Sequence, residues 1–268
     1  MTIGRFGLRR GNYDFPPFRP PSEANSLLLR VTRGCPWNRC TFCSMYKTMK
    51  FEIREFEEIR MDIELAKERY GDRVEAVFIG DSNSLLVKTE MLVQILNLLV
   101  SSFPHLERVT SYARAKTLFK KSVEDLERIY KAGLTRLHVG LETGDRELLK
   151  EIEKGATPEE MIEAGRKAKK AGFEYSLYVI LGIGGEEKWE RHARATAEVL
   201  NPIDPHFIRV RTVIPQPNSP LYEAMMRGDF KSPSPETILK ETKLLLEELR
   251  VTSQFLSDHI SNLLPLHG

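Results

Sequence analysis

From Ser26 onward the chain repeats one pattern: a short apolar run, a polar turn, then an amphipathic stretch. Six apolar runs stand out, Leu27 to Thr32, Val74 to Gly80, Arg108 to Ala113, Arg136 to Glu142, Tyr175 to Gly182 and Phe207 to Ile214. Helical patterns fall between them at Glu55 to Tyr70, Glu90 to Ser101, Val123 to Ala132, Pro158 to Ala171 and Lys188 to Leu200, with Gly71, Gly133 and Gly172 at stop positions. Such alternation predicts an α/β fold of parallel strands joined by crossover helices, because a parallel neighbour is reached by crossing back over the sheet face. The 268 residues, 41% of them hydrophobic, suffice for one large core without a second domain.

Residues 1 to 25 stand apart. They are rich in Arg, Gly and Pro, and Phe15-Pro16-Pro17-Phe18-Arg19-Pro20-Pro21 forbids a regular helix, so an arm or tail is expected there. The expected organisation is an arm over 1–25, a barrel core over 26–230 and a helical cap over 231–268. The 40 basic and 38 acidic side chains nearly cancel, which argues against a dedicated nucleic-acid or anionic-membrane binder. No apolar segment follows Met1 and no apolar run is long enough to span a bilayer, so a membrane location is not expected and the cytoplasm is the simplest compartment.

All three cysteines, Cys35, Cys40 and Cys43, fall in the turn after the first run, within Gly34-Cys35-Pro36-Trp37-Asn38-Arg39-Cys40-Thr41-Phe42-Cys43. A disulfide would leave an odd thiol, and nothing points to an oxidising compartment. Zinc would need a fourth ligand, and the next histidine, His105, is far downstream. Structural cysteines belong on strand or helix faces, whereas Gly34, Pro36 and Asn38 are loop formers. A 4Fe–4S cluster is favoured over these readings. Such a cluster normally takes four cysteines, so three thiolates would leave one iron open to an exogenous ligand.

In a barrel of this kind the chemistry sits at the C-terminal ends of the strands, and the unusual residues are found there. The second run ends in Gly80-Asp81-Ser82-Asn83-Ser84, the fourth in Gly140-Leu141-Glu142-Thr143-Gly144-Asp145 and the fifth in Gly182-Ile183-Gly184-Gly185. A strand period of two puts Leu137, Val139 and Leu141 on the helix-facing side and His138, Gly140 and Glu142 on the interior side. The same parity pairs Tyr112 with Arg114, Tyr178 with Ile180, and Phe207 with Arg209 and Arg211.

Together these features, from the three-cysteine loop with Phe42 before its last cysteine to the Gly-Leu-Glu-Thr-Gly strand end, resemble the radical SAM superfamily from about Ser26 to Tyr222. The likeness is nearest to the branch of oxygen-independent coproporphyrinogen oxidases and elongator-type subunits. The resemblance implies a partial (β/α)6 TIM-like barrel in which three cysteines hold a 4Fe–4S cluster and S-adenosylmethionine (SAM) chelates the open iron. One electron would then cleave SAM to methionine and a 5′-deoxyadenosyl radical that abstracts a substrate hydrogen. The chain departs from the usual C-x3-C-x2-C spacing. Its C-x4-C-x2-C lengthens the loop without removing a ligand.

Position by position, the resemblance assigns Gly80, Asp81 and Ser82 to the methionine amino group, and Tyr112 and Arg114 to the ribose or the methionine carboxylate. Glu142 would lie near the nucleoside or methionine, and Lys154 would hold the carboxylate. Tyr178 to Gly182 and Val213 to Pro215 would hold the adenine, with Arg211 also among the cofactor-binding residues. Each polar side chain has a plainer reading as a turn former, a strand-end cation or half of a salt bridge. His138 reads as a core imidazole, His105 and His192 as surface residues. Ser257-Asp258-His259-Ile260-Ser261-Asn262 reads equally as a closure of the substrate side and as an ordinary cap.

No thiol remains for a second cluster or a thiyl hydrogen donor, so a returned hydrogen would come from 5′-deoxyadenosine, a tyrosine such as Tyr178 or an external donor. A ferredoxin- or flavodoxin-type donor would supply electrons near Arg33, Arg39 and Lys47, and the substrate would be a small molecule or a peptide. The rival readings are a non-catalytic iron–sulfur or zinc module on the same barrel, and a radical modifier of a macromolecular partner.

Overall fold

A computed structural model describes residues 18–268 of the chain. The first 17 residues of the Pro-rich arm lie outside the described residues. The first strand is β1 (Leu27–Arg30), followed by a small antiparallel pair, β2 (Thr32–Arg33) with β3 (Glu52–Ile53), which brackets the cysteine loop. Helix α1 (Phe56–Tyr70), β4 (Ala76–Gly80), α2 (Thr89–Ser102) and β5 (Arg108–Ala113) follow. Two helices, α3 (Ala115–Lys120) and α4 (Val123–Lys131), then lead into β6 (Leu134–Glu142). Next come α5 (Arg146–Glu151), α6 (Pro158–Lys170), β7 (Glu174–Leu181), α7 (Trp189–Ile203) and β8 (Phe207–Thr212). The chain closes with α8 (Pro220–Arg227), α9 (Pro235–Glu248) and β9 (Gln254–Leu256).

The main sheet has the order β1-β4-β5-β6-β7-β8-β9, and every neighbouring pair in it is parallel. The six expected strands are its first six. The expected helical cap over 231–268 is only partly helical: after α9 the chain returns as β9 and adds a seventh parallel strand beside β8. Its Phe255 is buried, so burial fixes a segment too short to announce itself by periodicity. Among the described residues no helix is long and apolar enough to cross a membrane.

Parity sorts the side chains as expected. On β6, Leu137, Val139 and Leu141 are fully buried against the helices, and on β7 Tyr175, Leu177, Val179 and Leu181 do the same. Each such side chain contributes roughly 1.5–3 kcal/mol of transfer free energy, which sets the register of the whole sheet. The helices crossing this face are bounded by ordinary devices. Thr157 and Glu160 form a capping box at the start of α6, and Ser122 and Ser234 cap α4 and α9.

The opposite strand faces form the barrel interior. Phe78, Tyr112, His138 and Tyr178 meet there ring to ring, with Tyr112 edge-on to Phe78 at 5.1 Å between centroids. The described end of the arm closes this interior from one side. A short 3-10 turn, Pro21–Glu23, inserts the fully buried Glu23 carboxylate, which Ser26 Oγ meets at 2.6 Å.

Candidate cofactor site

The cysteine loop begins at Gly34, which the turn after β4 grips from two sides. Gly34 N–H donates to Asp81 Oδ2 at 2.9 Å, and Ser82 Oγ donates to Gly34 O at 2.8 Å. The other Asp81 oxygen faces Arg30 Nε at 3.4 Å within the buried interior. Asp81 and Ser82 are thus spent on anchoring the loop, and what the turn leaves toward the barrel mouth is backbone.

Inside the loop Asn38 adopts a left-handed φ of 50°, its amide side chain donates to Tyr46 O at 2.6 Å, and Lys47 Nζ donates to Asn38 O at 2.9 Å. These bonds use backbone groups that a loop without regular structure would otherwise leave unpaired. They hold Cys35, Cys40 and Cys43 half-buried and free of disulfides. Asn38 N–H also points at Cys35 Sγ, 3.4 Å away. Burial pushes the Cys40 and Cys43 thiols above their ordinary values, while the nearby Lys154 and Arg114 charges work in the opposite direction at Cys40.

Lys154 is brought to the loop from β6. At the end of that strand a bulge interrupts the register between Gly140 and Glu142, and Glu142 takes a left-handed φ of 66°. Its carboxylate reaches the interior side as expected, but by this turn rather than by strand parity. Glu142 Oε1 accepts from Lys154 Nζ at 2.6 Å, and both side chains are largely buried. Burial opposes the charge on Lys154, yet Glu142 and Cys40 outweigh it and hold the ammonium above its ordinary value. The carboxylate lies over Gly140: a Cβ there would come within 1.9 Å of Glu142 Oε1 and 2.8 Å of Lys154 Nζ.

Trp37, which sequence reasoning gave no role, ties these parts together. Its indole N–H donates to Glu153 O at 2.6 Å, and its ring lies against Gly155, where a Cβ would approach to 2.5 Å. The Arg114 guanidinium stacks over the same ring at 5.1 Å and donates to Lys154 O at 3.2 Å. Gly155→Val is therefore expected to displace the indole and lower the tryptophan emission change on cofactor binding, with little loss of α-helical circular dichroism. Phe42 lies under Lys154, 5.9 Å from Nζ to ring centroid, and packs into a small core with Ile152, Ile180, Ile183 and Leu221.

The remaining expected residues lie further in. Tyr112 and Tyr178 line the barrel interior, and Arg211 is exposed on the same face of β8 as the buried Arg209. Gly182 has its own business: its N–H donates to both oxygens of Glu241, at 3.0 and 3.1 Å. The segment 257–262 folds against the end of β8, where Asn262 Oδ1 accepts from Thr212 N–H at 2.8 Å and Asp258 faces Arg209 at 3.7 Å.

His192 corrects the sequence reading. It is fully buried rather than at the surface: Nδ1 meets Glu241 at 2.6 Å, and Nε2 approaches Glu142 O at 3.4 Å. Its place in α7 shows why, since His192, Thr196, Val199 and Ile203 follow one buried helical stripe. His192→Ala leaves the buried Glu241 carboxylate without its ring partner and is expected to cost about 3 kcal/mol, read as the shift in urea unfolding of the apoprotein.

The donor set fits a 4Fe–4S cluster. Three soft thiol ligands stand together on a loop open at the barrel mouth, and among the described residues no group of three His, Cys, Asp or Glu side chains is placed to hold a single metal ion. A cluster asks for one thiolate per iron instead of convergence on one point.

Residues 29–196 match the family model of the Radical SAM superfamily. An uncharacterised methyltransferase of Pyrococcus horikoshii is 25% identical over 200 residues, covering 73% of this chain and 41% of that protein. The heme chaperone HemW of Bacillus subtilis is 20% identical over 177 residues, covering 66% of this chain and 46% of HemW. Coproporphyrinogen III oxidase (HemN) of Escherichia coli shares the fold with a TM-score of 0.60 at 16% identity, over 83% of this chain and 52% of HemN. The chain therefore spans about half the length of these proteins.

Proposed function

The chain belongs to the radical SAM superfamily, and from that membership we propose that it is an enzyme that binds SAM beside a three-cysteine 4Fe–4S cluster and starts a radical reaction on a small molecule or peptide. The observation that carries this reading is the meeting of the half-buried thiol loop with the Glu142–Lys154 pair and Arg114 at the barrel mouth. Cluster and SAM together supply the one-electron cleavage that yields a 5′-deoxyadenosyl radical.

Within this reading Cys35, Cys40 and Cys43 are the iron ligands. Lys154 holds the methionine carboxylate, with Glu142 keeping the ammonium charged and in place. Arg114, stacked on Trp37, adds a second cation on the same side. The backbone of Gly80 to Ser82 receives the methionine amine, since the Asp81 and Ser82 side chains are already engaged. The apolar patch of Phe42, Ile180 and Val213 offers a flat wall to the adenine, and the backbone from Tyr178 to Gly182 runs along it. Tyr112 and Arg211 face the space beyond, where the ribose and substrate would lie. A small acidic electron carrier would dock over the loop at Arg39, which is exposed and stacked on Trp37. Arg33 is paired with Glu52 at 3.5 Å, and Lys47 is committed to the loop, so both contribute mainly field.

The test is SAM binding to the reconstituted protein by equilibrium dialysis. Losing one charged hydrogen-bonding partner costs about 1.5–3 kcal/mol, so Lys154→Ala and Glu142→Ala should each raise the dissociation constant by about ten- to a hundredfold at unchanged iron content. Arg114→Ala should act in the same direction. Equal affinity in all three variants and the wild type would remove these assignments.

A further inference from the structure

Three buried or half-buried groups in the barrel interior are not used by the proposed cofactor site. Glu23 Oε1 lies 3.3 Å from His138 Nε2, and His138 Nδ1 lies 3.4 Å from the Tyr178 hydroxyl. Glu23 and His138 are fully buried, whereas Tyr178 is half-buried and faces the interior beside Tyr112. The row thus runs from a sealed carboxylate through an imidazole to a phenol at the wall of the open barrel.

Its proton positions follow from the partners. Burial works against charge on Glu23, but hydrogen bonds from His138 and Ser26 and the Arg108 guanidinium at 3.4 Å outweigh it and hold the carboxyl below its ordinary value. An ionised carboxylate only accepts, so His138 carries its proton on Nε2. Burial also pushes the imidazole below its ordinary value, which keeps it neutral and leaves Nδ1 as a lone pair toward the phenol. Burial raises the Tyr178 phenol, so its hydrogen is retained at neutral pH. Desolvating a carboxylate, an imidazole and a hydroxyl together is costly, and packing alone would be served by apolar side chains.

We propose that Tyr178 donates a hydrogen atom to a carbon-centred radical formed in the barrel, with His138 and Glu23 as the positioning residues that hold its phenol at the wall. The inference rests on the radical reading above. This chain has three cysteines, all in the cluster loop, so no spare thiol competes as donor. Rotation about the phenol C–O bond turns the hydrogen from His138 to the cavity. The O–H bond breaks and a C–H bond forms, leaving a neutral phenoxyl. One electron from the external carrier and one proton from water at the barrel mouth restore the phenol. The Tyr178 backbone stays with the adenine wall, so one residue serves both roles through different atoms.

The experiment is substrate-free SAM cleavage in D2O by the reconstituted protein, driven by titanium(III) citrate without thiols or glycerol, with the isotope content of each 5′-deoxyadenosine molecule read by mass spectrometry. With the cluster thiols bound to iron, phenolic O–D is the weakest exchangeable bond available. Most product should carry one deuterium in the wild type, and the labelled fraction should fall about tenfold or more in Tyr178→Phe. His138→Gln and Glu23→Gln should lower it by smaller factors, and a phenoxyl signal seen by electron paramagnetic resonance after rapid freezing should vanish with Tyr178. Unlabelled product from the wild type, or loss of label in Tyr112→Phe but not in Tyr178→Phe, overturns the proposal while leaving the radical reading intact. No 5′-deoxyadenosine at all would overturn that reading and the proposal with it. Nitrogen-15 NMR of the apoprotein tests the row without cofactors: His138 should be neutral and protonated at Nε2, and protonation at Nδ1 instead would overturn the arrangement.

Discussion

Cys40→Ser should take the anaerobically reconstituted protein from about four irons per chain to fewer than one. The expectation follows from the loop. Its three thiols are the only cysteines in the chain, and among the described residues no group of three His, Cys, Asp or Glu side chains is placed to hold a metal ion in their stead. Serine keeps the size of the side chain but presents a hard oxygen where iron–sulfur chemistry prefers a soft thiolate. Burial raises the Cys40 thiol, and the Lys154 charge, with a smaller contribution from Arg114, works against that rise. The low-field signal of the reduced cluster should disappear together with SAM-dependent 5′-deoxyadenosine formation. The fold should survive, because the loop is held by Asp81, Ser82, Asn38 and Trp37 rather than by the metal. One tightly bound zinc per wild-type chain, with no iron, would defeat the cluster assignment. A value near eight irons, with two distinct signals, would instead point to a second centre.

What could be read in advance was what periodicity and composition carry. The six strands and the main crossover helices repeat an apolar spacing that only one backbone period satisfies, and the three-thiol turn has few chemical uses. Three kinds of feature are not legible in the sequence. One is a residue whose environment is supplied by distant chain: His192 reads as a surface residue, although its spacing with Thr196, Val199 and Ile203 puts it on the buried stripe of α7. Its partner Glu241 lies on α9, about fifty residues away, and no local signal joins the two. Backbone irregularities were also invisible. Parity assigned Glu142 to the right face for the wrong reason, since a bulge and a left-handed residue, not an unbroken strand, deliver its carboxylate. The short strand β9 is a third case, three residues whose pairing with β8 is decided by Phe255 burial and not by any repeat.

That bulge makes Gly140→Ala the most informative single change at the site. A Cβ at 140 would occupy the space of the Glu142 carboxylate and press on the Lys154 ammonium, at 1.9 and 2.8 Å. Both clashes are with the ends of flexible side chains, so β6 can keep its pairing with β5 and β7, and the cost in stability should be about 1–3 kcal/mol. The pair itself cannot stay where it is. Displaced toward the mouth, Glu142 no longer orients Lys154, and the ammonium loses the partner that offsets its burial. SAM affinity should then fall about a hundredfold, close to the loss in Lys154→Ala, while iron content remains that of the wild type. Because one methyl group acts through two residues, combining Gly140→Ala with Glu142→Ala should add little to either single change. Additive losses in that double variant would mean that Gly140 serves some contact other than the Glu142–Lys154 pair.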